Sequence, residues 1–228
     1  MNKEAGKLLY NDIEIRSNNL ESDYFRLIPT RRPYVNLYER IISADKTEAL
    51  LNIEAMTNPR VREAYQKTDI IKKQDSYKGG NRHLIEASFL YLSESRFSDS
   101  TFGIFYAAKE LDTAIEETKY HKAKFYASTK ESPFVFQMSL LEGEIKANMH
   151  DIREKIKGLE EIYSPSSWTK SQNFGCFLKS NNSNGVIYNS VRHKRGTCFG
   201  IFKPNKIKSI KETKFISYYW NGEKITLE

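Results

Sequence analysis

The chain has 228 residues, 39% of them hydrophobic and 13% aromatic, which is enough for one large domain with a packed core. It contains no apolar run of about 18 residues, so no membrane-spanning helix is expected. The N-terminus lacks the apolar core of a signal peptide. The two cysteines, Cys176 and Cys198, provide no disulfide framework, which favours a cytoplasmic protein. The four histidines are scattered and neither cysteine has a partner at metal-ligand spacing, so no metal site is expected.

The formal net charge of +7 is concentrated in one segment, 192–214, which holds eight Lys or Arg residues against one acid. Such a segment attracts nucleic acid, an acidic protein or a phosphate-bearing small molecule. Phe199, Phe202 and Phe215 are interleaved with the charges and could stack on bases. A nucleic-acid-binding module is therefore one hypothesis, and a solvated basic strand face without a ligand is the simpler alternative.

The first elements of the chain are predicted to be an arm and a strand. Residues 1–23 are polar and are expected to form an irregular N-terminal arm, ahead of a single domain over 24–228. Residues 24–28 are predicted to form a strand that stops at Pro29. Arg26 lies inside this apolar run, where an unpaired charge is costly. We therefore expect Arg26 at a strand edge, in an ion pair or facing an anionic ligand.

Two helices and a loop are predicted next. A capping-box-like start at residues 45–48, followed by apolar residues at helical spacing, predicts a helix over 49–56. Residues 60–82 are charged and contain Gly79 and Gly80, which indicates a long flexible loop or lid. A second helix is predicted over 83–92. Its buried face would contain Leu84, Ala87, Ser88 and Tyr91.

The stretch 96–117 is the centre of the sequence argument. It begins with Arg96, continues as an apolar run, 104–108, that predicts a buried strand containing Tyr106, and enters a helix whose far end carries Glu116 and Glu117. The face of this helix that packs on the sheet would contain Leu111, Ala114, Ile115 and Thr118.

Helix geometry separates the two adjacent glutamates. At about 100° per residue, Glu116 points about 150° from the centre of the packed face and Glu117 about 110°. Glu116 is therefore expected in water, and Glu117 at the margin where the helix meets the sheet. An arginine, a tyrosine and a carboxylate could then share a cleft. The simpler alternative is a structural ion pair between Arg96 and Glu117, with Tyr106 as part of the core.

The second half of the chain predicts further strands, one helix and a hairpin. The predicted elements are a strand over 134–140, a helix over 168–179 capped by residues 164–167, a turn over 181–185, a strand over 186–188 that leads into Asn189 and Ser190, a strand over 197–202, and a hairpin of 216–220 with 223–227 around Asn221-Gly222. Hairpins with inserted helices and no regular βαβ alternation favour a single α+β domain with a mixed or antiparallel sheet.

The types of the candidate residues limit the reactions that the chain could catalyse. Ser190 lacks the Gly-x-Ser-x-Gly turn of many serine hydrolases, and adjacent carboxylates such as Glu116 and Glu117 do not share a helix face as a glycosidase pair would require. The remaining set of Arg, Tyr, Glu and Ser suits a nucleotide with a labile N-glycosidic bond. Arginine binds phosphate, tyrosine stacks on a cationic ring, a carboxylate stabilises an oxocarbenium ion, and serine can position the ribose or the amide.

Short motifs in a specific order resemble those of the RES-domain family, toxins of bacterial toxin–antitoxin pairs named for their arginine, glutamate and serine motifs. The matching segments are Phe25-Arg26-Leu27-Ile28-Pro29, Leu37-Tyr38-Glu39-Arg40, Thr57-Asn58-Pro59-Arg60, Ser95-Arg96-Phe97-Ser98, 103–108, Thr113-Ala114-Ile115-Glu116-Glu117, 185–193 and 199–204. The matches cover nearly the whole chain. Asn189 departs from the pattern where a proline is common, as does Lys109 where a small residue often precedes the helix.

The resemblance implies a fold related to ADP-ribosyltransferases and an enzyme that depletes NAD by cleaving its nicotinamide–ribose bond. Carried over by motif, Arg26 and Arg96 would bind NAD, Tyr106 would pack beside the nicotinamide, Glu117 would be the catalytic carboxylate, and Ser190 would complete the pocket. NAD would be the substrate, with no prosthetic group. The acceptor stays open among water (glycohydrolase), phosphate as co-substrate (phosphorylase) and a protein side chain (mono-ADP-ribosyltransferase).

The resemblance also implies partners. The family's usual partner is an Xre-type helix-turn-helix antitoxin, which covers the active site and carries the DNA-binding role, so direct nucleic-acid binding by this chain is not expected from the resemblance. A homodimer within the toxin–antitoxin complex is expected as well. The basic segment 192–214 could then help to hold NAD or an acidic part of the antitoxin.

Overall fold

The computed structural model describes residues 7–30, 71, 73–154 and 156–228. Several sequence predictions lie outside these residues: the helix over 49–56, most of the loop 60–82, and the motif segments 37–40 and 57–60. Within the last part of that loop, the structure has a short 3₁₀ helix, Lys73–Asp75.

The described elements alternate strands with inserted helices. The strands are β1 Lys7–Tyr10, β2 Ile13–Pro29, β3 Glu94–Ser95, β4 Ser98–Asp99, β5 Phe105–Ala108, β6 Phe134–Asp151, β7 Gly185–Asn189, β8 Thr197–Ile201, β9 Lys211–Trp220 and β10 Ile225–Leu227. The helices are α1 Arg82–Leu90, α2 Leu111–Thr129 and α3 Thr169–Ser180, with further 3₁₀ turns at Glu160–Tyr163 and Pro204–Lys206. The predicted α+β architecture is confirmed.

Eight of these strands form one sheet in the order β1-β2-β5-β8-β7-β6-β9-β10. The sheet is mixed because β6 pairs in parallel with β7, whereas β6 with β9 and β7 with β8 are antiparallel. Strand β2 also pairs with β6 along most of its length. Strands β2, β5, β8, β7 and β6 therefore close on themselves as a ring.

Three apolar clusters surround this ring. The first contains side chains from all five strands, among them Tyr24, Phe105, Leu141, Ile187 and Phe199, packed against Ile85 and Phe89 of α1. The second joins α3 to the other face of β5, β7 and β8, and the third joins α2 to β6, β9 and β10. Helix α2 is thus anchored beside the sheet, which fixes where its polar side chains point.

The prediction of an irregular arm over 1–23 is wrong for residues 7–23, which form β1 and most of β2. The polar side chains mislead because half of them form the exposed face of a long strand: Ile15 and Ser17 are buried while Glu14 and Arg16 are exposed. Pairing of β2 with β6 from Ser17 to Pro29 satisfies the backbone of this polar stretch.

Three element predictions need smaller corrections. Helix α2 continues to Thr129, because 119–129 contains no Gly or Pro, so Glu116 and Glu117 lie in its second turn and not at its far end. Strand β6 extends to Asp151, far beyond the predicted 134–140. In α1, the buried face contains Ile85 and Phe89 and not the predicted Ala87 and Ser88. The larger apolar side chains gain more free energy from burial.

Helix α3 approaches the β3–β4 hairpin through Gly175. A Cβ at this position would overlap the carbonyl group of Phe97, which is backbone and cannot rotate away. We expect Gly175→Ala to lower the free energy of unfolding, since overpacking costs about 1–3 kcal/mol and helix propensity returns at most about 1 kcal/mol. Urea unfolding measures the effect. Gly80→Ala is the control, because no atom lies near its Cβ position; equal stability of the two variants would contradict the packing account.

Candidate active site

Side chains alternate between the two faces along β5, β8 and β7, and this alternation decides which candidate residues share a face. Tyr106 lies opposite Gly200 and Tyr188 opposite Cys198, and each pair alternates with residues that point to the other face. Ser190 follows Tyr188 by two residues and continues the same side. The chain order therefore brings Tyr106, Cys198 and Ser190 to the face on which Glu117 of α2 also lies.

Glu117 is held by Ser190. The Ser190 hydroxyl donates to Glu117 Oε1 at 2.6 Å, although the residues are 73 positions apart. The same Oγ accepts the backbone N–H groups of Arg192 at 3.1 Å and His193 at 2.9 Å. Because both lone pairs and the proton are used, this hydroxyl orients the carboxylate and has no free lone pair with which to attack a substrate.

The two adjacent glutamates have different surroundings. The Glu116 side chain is 40% exposed and pairs with Lys119 at 2.7 Å along the helix. The Glu117 side chain is 24% exposed and also lies 3.9 Å from Cys198 Sγ. Burial, with the Glu117 charge as a second cause, raises the pKa of the Cys198 thiol, so this thiol stays protonated. The prediction from helix geometry agrees with this arrangement.

The turn that carries Ser190 is fastened to the start of α2. Glu110 Oε2 accepts from the Thr113 hydroxyl at 2.9 Å and from the Thr197 N–H at 3.0 Å. His193 Nδ1 lies 2.8 Å from Thr113 Oγ1; since the Thr113 proton goes to Glu110, Nδ1 is the donor. Gly196 permits this contact, because a Cβ there would overlap Thr113. Sequence analysis missed this network, which local spacing does not reveal.

Tyr106 secures the turn that carries Arg96. Its hydroxyl donates to Ser95 Oγ at 2.9 Å and accepts the Phe97 N–H at 3.0 Å, so it grips both neighbours of Arg96. Burial raises the pKa of Tyr106 to about 12, which keeps the phenol neutral. Its ring packs beside the cluster under α3, as the simpler alternative expected.

Arg96 does not pair with Glu117, although both side chains are described. Its Nη1 donates to the carbonyl oxygens of Ile162 at 3.0 Å and Ser164 at 3.2 Å. The interpretation as a structural ion pair is therefore wrong. These neutral acceptors leave the positive charge of Arg96 uncompensated at the site.

Arg26 lies apart from the other candidates. Its guanidinium group lies 4.4 Å from the centroid of Phe105, whose ring is on the opposite face of β5 from Tyr106. Nη1 donates to the Tyr106 carbonyl at 2.6 Å, and the buried Nε has no partner among the described residues. Burial lowers the pKa of Arg26 to about 10, so it remains charged at neutral pH. Among the described residues, the hydrogen bond to the Tyr106 carbonyl connects Arg26 with the other site candidates.

Sequence analysis also missed an aromatic and cationic rim around Glu117. His121 Nε2 lies 3.7 Å from Glu117 Oε2, and the His121 ring is 6.4 Å from that of Trp168. The Arg192 guanidinium group lies 3.4 Å from the centroid of Tyr120 and donates to the Pro165 carbonyl at 2.9 Å. The signal was present, because Tyr120 and His121 follow Glu117 by three and four residues and so share its helix face.

The basic segment 192–214 is partly internal. Phe199 and Phe202 are each 1% exposed, so two of the three interleaved aromatics cannot stack on bases; Phe215 is 59% exposed. The proposed stacking role is therefore wrong for Phe199 and Phe202. Among the described residues, no cluster of three or more His, Cys, Asp or Glu is arranged to hold a metal ion. In the same part of the chain, no helix has the length and apolar character needed to cross a membrane.

The two hydrogen bonds of the Tyr106 hydroxyl predict a stability effect. In Tyr106→Phe, the Phe97 N–H and the Ser95 hydroxyl lose their partner inside the fold. We expect a loss of about 1–3 kcal/mol in the free energy of unfolding, measured in urea. Tyr219→Phe is the control, because Tyr219 is 40% exposed. A Tyr106→Phe protein as stable as wild type would contradict the gripping role.

Comparisons with known proteins find chains that are similar to this one. A relative from Sinorhizobium fredii (strain NBRC 101917 / NGR234), the uncharacterized protein y4oC, is 26% identical over 208 residues, which is 91% of this chain and 87% of the relative. A chain of the Mycobacterium tuberculosis MbcT–MbcA toxin–antitoxin complex aligns over 90% of this chain and 87% of its own length, with a TM-score of 0.46 and 8% identity. The family model of the RES domain matches residues 74–221. Since this match spans more than half of the sequence, the chain belongs to the RES domain family.

Proposed function

We propose that the chain is a toxin enzyme that cleaves the nicotinamide–ribose bond of NAD and depletes the cellular pool. The observation that carries the proposal is the 2.6 Å hydrogen bond from Ser190 to Glu117. It fixes one carboxylate, largely shielded from water, on the face that Tyr106 shares. Loss of nicotinamide leaves positive charge on the ribose, and a preorganised carboxylate stabilises such an oxocarbenium-like transition state.

The remaining residues suit the other parts of NAD. In this proposal Arg96, which uses Nη1 on two carbonyl groups, binds a phosphate of NAD with its further donors. In this proposal the half-buried Tyr106 ring packs against the cationic pyridinium. In this proposal Glu117 is the catalytic carboxylate, and Ser190 orients it. That Arg26 also contacts NAD stays a prediction from the motif resemblance, because its guanidinium group lies on the opposite face of β5 from the Tyr106 side chain.

Membership of the RES domain family and the motif resemblance also support a partner. We propose that an antitoxin, of the Xre-type helix-turn-helix class, restrains the enzyme by covering the cleft, and that the toxin self-associates as a homodimer in that complex. The MbcT–MbcA structure is titled as a toxin–antitoxin complex. On the rim around Glu117, the Arg192 guanidinium group gives such a partner a cation that an acidic side chain would complement.

Purified protein incubated with NAD should release nicotinamide, measured by chromatography. Glu117→Gln keeps the shape of the side chain but removes the charge, and we expect turnover to fall on the order of 100- to 1000-fold. Glu116→Gln is the matched control and should retain wild-type turnover, because Glu116 pairs with Lys119 away from the site. Full activity of Glu117→Gln, or equal losses in both variants, would contradict the proposal.

The products identify the acceptor. NAD labelled in the adenine ring should yield labelled small molecules: free ADP-ribose if water is the acceptor, and ADP-ribose-1″-phosphate if phosphate is. We expect no labelled protein band. Label transferred to a protein would instead establish mono-ADP-ribosyltransfer and contradict the proposal that the enzyme depletes NAD through small-molecule products.

A further inference from the structure

His121 is the titratable side chain nearest to Glu117 that has no role in the proposed function. It follows Glu117 by one helical turn on α2, and its Nε2 lies 3.7 Å from Glu117 Oε2. The other carboxylate oxygen is already occupied by Ser190. A proton on Nε2 is favoured by the facing carboxylate, which leaves Nδ1 with a lone pair. No hydrogen bond to Nδ1 occurs among the residues that the structure describes.

The surroundings of His121 suit a proton acceptor that opens to the cleft. Its side chain is 53% exposed, and its ring lies between those of Tyr120 and Trp168, at 5.3 Å and 6.4 Å. Since more than half of the side chain is exposed, water can reach the imidazole. Many enzymes remove a proton from a hydroxyl group with an imidazole. One ring nitrogen faces a carboxylate, and the other accepts the proton.

We infer that His121 is the general base that deprotonates the water molecule which attacks the ribose, with Glu117 orienting its imidazole. In this step the bond between the anomeric carbon and the nicotinamide nitrogen breaks, and its electron pair leaves with neutral nicotinamide. The water oxygen bonds to the anomeric carbon, and the proton it loses moves to His121 Nδ1. The Glu117 carboxylate then stabilises the imidazolium. This role rests on the proposed cleavage of NAD.

The charges that face His121 keep it available as a base. Burial lowers the pKa of His121, the Glu117 charge opposes this, and the cations Arg192, Arg96 and Lys124 lower it further. The imidazole is therefore neutral at pH 7 and is protonated only below its usual range. Turnover by water should consequently fall as the pH drops through this lowered pKa, because protonated His121 accepts no proton.

The test measures nicotinamide release in phosphate-free buffer between pH 5 and 8 for wild type and His121→Ala. We expect the variant to lose about 100-fold in rate and to lose the acid limb of the wild-type profile. Added azide, a nucleophile without a proton to remove, should restore nicotinamide release by the variant and give an ADP-ribosyl azide. Lys119→Ala, one turn away beside Glu116, is the control and should match wild type.

Each other outcome is decisive. A His121→Ala rate equal to that of wild type, or a loss that azide does not restore, would overturn the inference while wild-type activity upholds the proposed function. If the wild-type enzyme releases nicotinamide only when phosphate is added, water is not its acceptor, and this result would also overturn the role of His121. A wild type that releases no nicotinamide under any condition refutes the proposed function, and the inference falls with it.

Discussion

The hydrogen bond from Ser190 to Glu117 joins two parts of the chain that approach from opposite sides. Helix α2 supplies the carboxylate, and the turn after β7 supplies the hydroxyl. Two backbone N–H groups of the turn donate to the lone pairs of Ser190 Oγ. The hydroxyl proton therefore points at Glu117. The turn in turn depends on Glu110, Thr113 and Gly196. Preorganisation of Glu117 thus begins in backbone geometry.

The charges of Arg96 and Glu117 are not paired with each other, and the proposed chemistry depends on this separation. Arg96 donates to carbonyl oxygens instead of a carboxylate, so in the proposed reaction its positive charge can act on a phosphate of NAD. Glu117 receives a neutral hydroxyl instead of an arginine, so in the proposed reaction its negative charge can act on the ribose. Had the two formed an ion pair, each would have neutralised the other. Separate neutral partners are what allow a cation site and an anion site to coexist in one cleft.

Local patterns predicted the parts of the fold that depend on periodicity. The 3.6-residue period distinguished Glu117 from Glu116, because it reports the angle at which a side chain leaves a helix. The Asn221-Gly222 hairpin and the strand before Ser190 were recovered for similar local reasons. Long-range pairing was not predictable: the polar residues of β2 have little strand signal, and from Ser17 onward they pair with β6, which lies more than a hundred residues later. The position of Arg26 across β5 from Tyr106, and the approach of His193 to Thr113, likewise depend on tertiary contacts.

In the proposed reaction, nicotinamide departs through a transition state in which the ribose resembles an oxocarbenium ion. The most direct measurement is the isotope effect on nicotinamide release when NAD carries deuterium at the anomeric carbon of the nicotinamide ribose. The account predicts a normal secondary effect, because this carbon becomes planar in the transition state. Release of nicotinamide without any isotope effect, or NAD that stays intact, would contradict it.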